Sequence, residues 1–188
     1  MKLTPWAASR QRSATRPDPV SRDIPDRGIL AAMCVLQRIR EMLDEAGVQY
    51  RHVHHEPVRT SEQAARVRGE PLSIGGKALV VKIGDGFRLF VLSASLRLDS
   101  TAVRARFGTR RIRFASAPEL LELTGLVPGS VPPFGEPILP LPLNVDPSVL
   151  ANDRIAFNAG ALTDSIIMQT ADYRALAGGE VFPFAEAA

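Results

Sequence analysis

A loop at residues 124–135 carries three glycines and three prolines among its twelve residues. Glycine lets the backbone turn sharply and approach a ligand, whereas proline fixes φ and removes an amide donor. Such a loop is bent but stiff, and its few remaining N–H groups point in set directions. Fixed backbone donors can hold a carbonyl oxygen or a developing oxyanion. The same composition is equally typical of an ordinary connecting loop, so a partner elsewhere in the chain must decide between the two.

Lys77 is the most informative ionisable residue, because it opens an apolar strand pattern directly after Gly75 and Gly76. Strand alternation places it on the same face as Leu79 and Val81. An ammonium group on an apolar face is partly desolvated, which lowers its pKa and strengthens its attraction for an anionic or carbonyl oxygen. The alternative is a lysine at a strand end whose ammonium group extends into water.

Other catalytic arrangements find little support in the sequence. Ser130, in the loop, lacks the second glycine that a nucleophile elbow requires. The glycines before Lys77 lack the first glycine and the following Ser or Thr of a Walker phosphate loop. Cys34 is the single cysteine, which excludes an intramolecular disulfide and a zinc site of several cysteines. It falls in a predicted helix, where packing is the expected role.

Three histidines lie close together, namely His52, His54 and His55. Strand alternation puts His52 and His54 on one face, where they could suggest a pair of metal ligands. The local sequence adds no acidic residue or cysteine to that face. We therefore expect neither a metal site nor a cofactor.

The net charge of +3 is confined to the N-terminal stretch. Of the 23 basic and 20 acidic residues, residues 1–28 hold six and three, which leaves 17 of each sign. Overall charge gives no support to nucleic-acid binding by the folded part, so a local patch is required and no DNA partner is expected. The best local candidate is a group of arginines: Arg104, Arg106, Arg110, Arg111 and Arg113. A solvated surface is the alternative, and no apolar run is long enough to span a membrane.

Residues 1–28 have no sustained apolar period, which predicts a disordered basic tail. Residues 29–188 are predicted to form a single domain. Hydrophobic spacing and capping signals predict helices at residues 29–46, 60–68, 100–107, 118–123 and 170–176. The capping signal of the second helix is a capping box at Thr60-Ser61-Glu62-Gln63. Alternation and turn signals predict strands at residues 48–54, 75–83, 87–92, 110–115, 139–145, 154–158 and 164–170, and Gly84-Asp85-Gly86 predicts a hairpin turn between the second and third of them.

Pro140 and Pro142 alternate with leucines, which predicts that residues 139–145 form an edge strand. About seven strands without regular βαβ alternation favour a mixed α/β fold. We expect a curved, barrel-like mixed sheet with short helices packed around it.

Six short pieces of sequence occur in a recognisable order. They are Thr60 before a helix, Gly76-Lys77-Ala78-Leu79-Val80-Val81, Leu98-Asp99, Leu123-Thr124-Gly125, Gly129-Ser130-Val131-Pro132-Pro133-Phe134-Gly135 and Phe157-Asn158-Ala159-Gly160. Together they resemble the YbaK/prolyl-tRNA-synthetase-associated domain family, the free-standing aminoacyl-tRNA editing domains. The resemblance extends over roughly residues 29–178.

The resemblance implies a barrel-like mixed α/β fold and hydrolysis of mischarged aminoacyl-tRNA, known as trans-editing. In the family, a lysine and a Gly-x-x-x-Pro loop define the pocket, which correspond here to Lys77 and residues 129–133. Members are thought to use water and the ribose hydroxyl of the substrate rather than a protein nucleophile. The implied partners are mischarged tRNA and an aminoacyl-tRNA synthetase, and the implied compartment is the cytoplasm.

Individual roles follow from this resemblance and from the chemistry of an ester. The expected catalytic groups are Lys77 and the backbone of Gly129, Ser130 and Val131, because ester hydrolysis builds negative charge on the carbonyl oxygen. The residues expected to bind the substrate are Pro133, Phe134, Gly135, Asn158, Gly160 and Thr163. The residues expected to contact tRNA are Arg110, Arg111 and Arg113.

Two departures from the family pattern leave the amino-acid specificity open. Within two residues after Asn158-Ala159-Gly160 many relatives carry His or Arg, whereas this chain has Ala161-Leu162. After Ser93-Ala94 relatives often carry a charged pair, whereas this chain has Ser95-Leu96, so the departures place apolar side chains at Leu162 and Leu96. These apolar residues motivate a second hypothesis, a tRNA- or synthetase-binding module without catalysis. The absence of net positive charge outside the tail motivates a third, a hydrolase of small acyl compounds.

Overall fold

The computed structural model describes residues 27–188, with side chains from Val35 onward. Its α-helices are α1 (Arg27–Glu45), α2 (Ser61–Arg68), α3 (Ser100–Phe107), α4 (Ala117–Thr124), α5 (Pro147–Leu150) and α6 (Thr170–Ala177). Its strands are β1 (Tyr50–His54), β2 (Gly76–Ile83), β3 (Gly86–Ser93), β4 (Leu96–Leu98), β5 (Ile112–Phe114), β6 (Leu143–Val145), β7 (Arg154–Asn158), β8 (Asp164–Gln169), β9 (Glu180–Val181) and β10 (Ala185–Ala187). None of the helices in this part of the chain is long and apolar enough to cross a membrane.

Two predictions fall outside what the structure describes. Residues 1–26 of the predicted disordered tail are outside the described residues, and the side chain of Cys34 is outside the described side chains. The first helix begins at Arg27, two residues before the predicted start of the domain.

The strands form three sheets rather than one barrel-like sheet. Five strands pair in the order β5-β2-β3-β6-β9, three in the order β1-β8-β7, and β4 pairs with β10. The predicted mixed α/β class is confirmed, but the described strands close no barrel. The two larger sheets meet at one backbone bridge, between Gly75 and Ala156. The neighbouring glycine permits the approach, because a Cβ on Gly76 would lie only 2.8 Å from Cδ1 of Ile155 in β7.

The predicted hairpin of β2 and β3 separates two apolar clusters. The strands pair antiparallel along their whole length, so successive side chains point to opposite faces. Val80, Leu89 and Val91 face the larger cluster, where they join Ile39 and Leu43 of α1. The opposite face packs a smaller cluster with four phenylalanines: Phe90, Phe107, Phe182 and Phe184.

The start of α2 is fixed by the predicted capping box. The Thr60 hydroxyl accepts a hydrogen bond from the Gln63 amide at 3.2 Å, and the Gln63 side chain accepts one from the Thr60 amide at 3.3 Å. Gly69 ends the helix in the left-handed conformation, with φ of 67°. The cap therefore sets where Thr60 and the last residue of α2 lie relative to the neighbouring strands.

The predicted edge strand at residues 139–145 is wrong in length and in position. Strand β6 begins at Leu143, after both prolines, and runs parallel between β3 and β9. Pro140 and Pro142 precede it, so their missing N–H groups interrupt no ladder. The carbonyl of Pro142 still accepts a hydrogen bond from the Leu89 amide at 2.9 Å.

Candidate functional site

A small pocket, with a volume of about 90 Å³, lies where the two larger sheets meet. Its walls come from the start of α2, the start of β2, the loop at residues 124–135 and the end of β7. The lining residues are Arg59, Thr60, Ser61, Ala64, Arg68, Gly75, Gly76, Lys77, Ala78, Ala94, Gly129, Val131 and Asn158. The structure thus brings Lys77 and the glycine-rich loop to one pocket.

Lys77 lies at the wall of this pocket that the start of β2 forms. Its side chain is partly buried, and its Nζ donates a hydrogen bond to the carbonyl of Leu96. Burial lowers the pKa of Lys77, and the opposing effect comes from the charge of Glu62. The contact with Leu96 is made by its backbone, so an apolar side chain at this position is compatible with it.

The loop makes a tight turn at Gly129, which adopts a φ of +92°. The amide of Ser130 donates to the Val127 carbonyl at 3.1 Å, and the Ser130 hydroxyl donates to the same oxygen at 2.9 Å. The amide of Ser130 is therefore already engaged, and its buried hydroxyl faces its own turn. The N–H groups of Gly129 and Val131 have no acceptor among the described residues. These two amides are the donors of the turn that remain available to a ligand.

Asn158 joins the loop to the end of β7. Its Nδ2 donates to the Gly129 carbonyl at 2.6 Å, while its Oδ1 accepts from Arg68 at 2.5 Å and from the Ser165 hydroxyl at 3.2 Å. The side chain thus lines the pocket and also fixes the turn. Asn158 thus lies at the pocket, but its polar atoms are already bonded to protein groups.

Arg68 is a pocket residue that the sequence reasoning missed. Only 7% of its surface is exposed, and burial lowers the pKa of its guanidinium to about 10. Its Nε donates to the Ser165 hydroxyl at 2.9 Å, and its Nη1 donates to the Ala156 carbonyl at 3.3 Å. A signal did exist, because Arg68 follows the buried Ala64 by one helical turn and so lies on the buried face of α2.

Three residues expected to bind the substrate lie behind the loop instead of lining the pocket. Phe134 is 2% exposed and packs edge-to-face on Phe157 and Tyr173. The Tyr173 hydroxyl donates to the carbonyl of Pro133 at 2.8 Å. Gly135 packs tightly on the segment before β6, since a Cβ there would lie 2.7 Å from the Leu141 carbonyl. Residues 133–135 are therefore apolar because they pack on the core and hold the turn at Gly129 in place.

Gly160 and Thr163, which were also expected to bind the substrate, form hydrogen bonds with the loop and with β8 instead. The amide of Gly160 donates to the Ser130 carbonyl at 3.0 Å. Thr163 donates its hydroxyl hydrogen to Asp164 at 2.7 Å and does not line the pocket. Leu162 packs on the turn, because a Cβ on Gly129 would lie 3.2 Å from its Cδ2. An apolar residue at position 162 therefore covers the outside of the turn.

The arginines expected to contact tRNA lie at the opposite end of β2 from Lys77. Arg113 is paired in register with Lys82, about 17 Å along the strand from Lys77. Its guanidinium donates two hydrogen bonds to Glu119, at 2.6 and 2.7 Å, and Arg111 lies 3.5 Å from Asp85. Arg110 is exposed and has no ion-pair partner within the described chain. The group is thus partly neutralised by acidic neighbours.

The histidine pair has a carboxylate neighbour that the local sequence does not show. Both His52 and His54 contact Oδ1 of Asp164, at 2.9 and 3.1 Å, from across the β1–β8 ladder. Although burial acts to raise the pKa of Asp164, hydrogen bonds from Thr163, His54 and His52 hold it below its ordinary value. Within the described residues, no group of three or more His, Cys, Asp or Glu side chains is arranged to hold a metal ion.

Comparison with known proteins gives a consistent set of relatives. The multifunctional Ser/Thr-tRNA deacylase ProXp-y of Escherichia coli (strain K12) is 40% identical over 154 residues, which cover 79% of this chain and 91% of that protein. The prolyl-tRNA editing protein ProX of Acetoanaerobium sticklandii is 28% identical, over 53% of this chain and 62% of that protein.

A solved structure agrees with these relatives. It is described as that of a candidate trans-editing enzyme for prolyl tRNA synthetase, and it matches 81% of this chain and 98% of its own with a TM-score of 0.70 at 28% identity. A family model described as the aminoacyl-tRNA editing domain matches residues 55–176. The chain therefore belongs to the aminoacyl-tRNA editing domain family, as the sequence resemblance implied.

Proposed function

We propose that this protein hydrolyses the ester bond of mischarged aminoacyl-tRNA in trans, in the cytoplasm. The observation that carries the proposal is the shared pocket of Lys77, Gly129 and Val131, in a chain that belongs to the editing domain family. The relatives named above act on tRNA as deacylases or editing proteins, which supports the same substrate class.

The chemistry that this pocket offers is stabilisation of a carbonyl oxygen. Water adds to the ester carbonyl carbon, and the bond to the terminal ribose oxygen breaks, so that the amino acid and tRNA separate. In this proposal the N–H groups of Gly129 and Val131, which have no acceptor among the described residues, donate to the oxygen as it becomes negative, and one preformed donor is worth about 3–4 kcal/mol. Lys77 adds a partly desolvated positive charge at the same pocket, where it holds the carbonyl oxygen or the terminal phosphate.

The proton of the attacking water is assigned to the substrate. The loop has two hydroxyl groups, and both are bonded to backbone carbonyls: that of Thr124 donates to Leu120 at 2.7 Å, and that of Ser130, a residue that is 1% exposed, donates to Val127. Both are therefore poor nucleophiles. We infer that the free ribose hydroxyl of the terminal nucleotide orients the water, as the resemblance implies, and that the proton of the water ends on the ribose oxygen that leaves. The reaction then needs no covalent intermediate on the protein.

The lining favours a small amino acid as the group removed. Five of the lining residues are glycine or alanine other than Gly129: Ala64, Gly75, Gly76, Ala78 and Ala94. Hydroxyl groups of Thr60 and Ser61 lie at the start of α2, where they could meet a polar side chain. We therefore place serine and threonine first among the substrates, in agreement with the name of the Escherichia coli relative. Because a site that hydrogen-bonds a substrate hydroxyl discriminates against the analogue that lacks it, alanine is the discriminating competitor.

The test is deacylation of a panel of tRNAs charged with Ser, Thr, Ala or Cys. We expect the rate constant for Ser or Thr to exceed that for Ala, and each to exceed spontaneous hydrolysis. Tight binding of tRNA without turnover of any member would instead favour a binding module. Turnover of free aminoacyl esters at the rate of aminoacyl-tRNA would favour a hydrolase of small acyl compounds.

A further inference from the structure

Arg68 carries a positive charge in the interior without a carboxylate to balance it. Its side chain is 93% buried, and none of the ion pairs in the described part of the chain includes it. Two neighbouring arginines, Arg51 and Arg154, do pair with an acid, since both contact Glu70. A buried charge without a counter-ion costs stability, so its retention at the pocket requires a physical reason.

The hydrogen bonds of Arg68 lead directly to the loop. Its Nη2 donates to Oδ1 of Asn158 at 2.5 Å, and Nδ2 of Asn158 donates to the Gly129 carbonyl at 2.6 Å. A guanidinium can only donate and a carbonyl can only accept. The two partners together therefore leave Asn158 a single orientation of its amide.

The orientation of the Asn158 amide matters because residues at the end of β7 hold two successive peptide groups of the turn at Gly129. Asn158 holds the Gly129 carbonyl, and the amide of Gly160 holds the Ser130 carbonyl at 3.0 Å. In a planar trans peptide the C=O and the next N–H point in opposite directions. The first bond thus directs the Ser130 amide toward Val127, and the second fixes the direction of the Val131 amide.

We propose that Arg68 is a positioning residue for the deacylation reaction, acting through Asn158 to hold the turn that presents the Gly129 and Val131 amides. This inference rests on the proposed function. An uncharged residue at position 68 could not select one orientation of the Asn158 amide as strongly, since a glutamine or methionine offers either both polarities or none. The other N–H groups of the guanidinium donate to the Ser165 hydroxyl and to the Ala156 carbonyl. These bonds keep β7 and β8 in place around Asn158.

The first test compares Arg68→Met with Arg66→Met. Arg66 lies two residues earlier in α2 and is exposed. We expect Arg68→Met to lower kcat by about 100-fold, because misplacing a catalytic group by about 1 Å costs that much. KM should change by less than about threefold, since binding of tRNA is untouched. Arg66→Met should keep the wild-type kcat, and Arg68→Lys should recover only part of it, because an ammonium cannot hold Ser165 and Asn158 together.

The second test does not depend on turnover. Amide hydrogen exchange of Ser130 reports its bond to the Val127 carbonyl, and that of Gly160 reports its bond to the Ser130 carbonyl. We expect about tenfold faster exchange at both amides in Arg68→Met than in the wild type. Asn158→Asp covers the case in which Arg68→Met fails to fold. It gives Arg68 a counter-ion but removes the donor to Gly129, so the fold should persist while exchange accelerates and kcat falls.

Unchanged exchange at Ser130 and Gly160 in a folded variant would overturn the proposal, as would a kcat within about threefold of wild type. If the wild-type protein deacylates no tRNA, the proposed function fails separately. The exchange comparison would still decide whether Arg68 holds the turn.

Discussion

At the scale of single residues, the charge of Lys77 is the most direct point at which to test the pocket. Lys77→Met keeps most of the side-chain volume and removes the ammonium group, so we expect kcat/KM for deacylation to fall by about 100-fold or more. Lys82→Met is the matched control, because Lys82 lies in the same strand, on the opposite face and about 17 Å away. Equal turnover by the two variants in single-turnover assays would contradict the role of Lys77.

Phe134 tests whether the apolar half of the loop supports the turn or binds the substrate. Its ring is buried against Phe157 and Tyr173, so Phe134→Ala should lower the free energy of unfolding by about 3–5 kcal/mol. Phe114 is 57% exposed, and Phe114→Ala should change that free energy by less than about 0.5 kcal/mol. Urea denaturation measures both. A stable Phe134→Ala protein with a raised KM would return Phe134 to the substrate-binding group.

The sequence could indicate Lys77 but not Arg68, and the reason is physical. Lys77 follows two glycines and interrupts an apolar strand, so its unusual setting is visible within a few residues. Arg68 ends a polar helix, and its burial depends on Ser165 and Asn158, which come from strands far along the chain. The same limit applies to the Asp164 carboxylate, which reaches the histidines across a ladder and not along the sequence.

At the scale of elements, Asp164 joins β1 to β8 and makes that ladder sensitive to acid. The carboxylate accepts hydrogen bonds from Thr163, His54 and His52, which outweigh burial and hold its pKa below the ordinary value of 3.8. A carboxyl with a lower pKa in the folded state stabilises the fold above the unfolded pKa and loses this contribution as the pH falls through the folded pKa.

We therefore expect the wild type to lose more unfolding free energy than Asp164→Asn as the pH falls below about 4. Chemical denaturation at a series of pH values gives the comparison, with Asp153→Asn, just before β7, as an exposed control. Parallel curves for wild type and Asp164→Asn would show that the contact does not stabilise the folded state.

Elements with local signals were predicted better than elements that depend on distant partners. The Thr60 capping box and the Gly84-Asp85 turn gave α2 and the β2–β3 hairpin, both of which the structure confirms. Strands β4, β9 and β10 are two or three residues long and exist only through pairing with remote segments. Their sequences carry too little alternation to be recognised. The prolines before Leu143 misled the prediction because they stop just short of the ladder.

At the scale of the whole molecule, the pocket lies between two sheets whose relative position could not be predicted from the sequence. Lys77 belongs to the five-stranded sheet and Asn158 to the three-stranded sheet, and the sheets share one bridge at Gly75 and Ala156. Strand alternation predicts which side chains share a face, but it does not predict which strands become neighbours. The predicted barrel-like sheet is therefore not confirmed, because the strand patterns could not show that the strands divide into separate sheets, and the site lies at the junction between the two larger sheets.

Recognition of tRNA would involve a large surface, because the arginines predicted to contact tRNA lie far from the pocket. Arg113 is bound to Glu119, which also accepts from the amide of Ser116 at 2.9 Å and so caps α4. Replacing it would disturb the helix as well as the charge. Arg110 and Arg111 are the better probes, since Arg110 has no ion-pair partner in the described chain and Arg111 makes only an exposed contact with Asp85.

The double variant Arg110→Glu and Arg111→Glu should raise KM for aminoacyl-tRNA and leave kcat unchanged, because the pocket is about 17 Å away. Each lost phosphate contact should lower the slope of log affinity against log salt concentration by about one. An aminoacyl-adenosine ester, which keeps the free ribose hydroxyl but cannot reach the arginines, serves as the control and should be hydrolysed equally by both proteins. If affinity and salt slope are both unchanged, tRNA approaches over another face. A strong salt slope that persists would direct the search to Arg59 at the pocket rim, where a phosphate next to the scissile ester would lie.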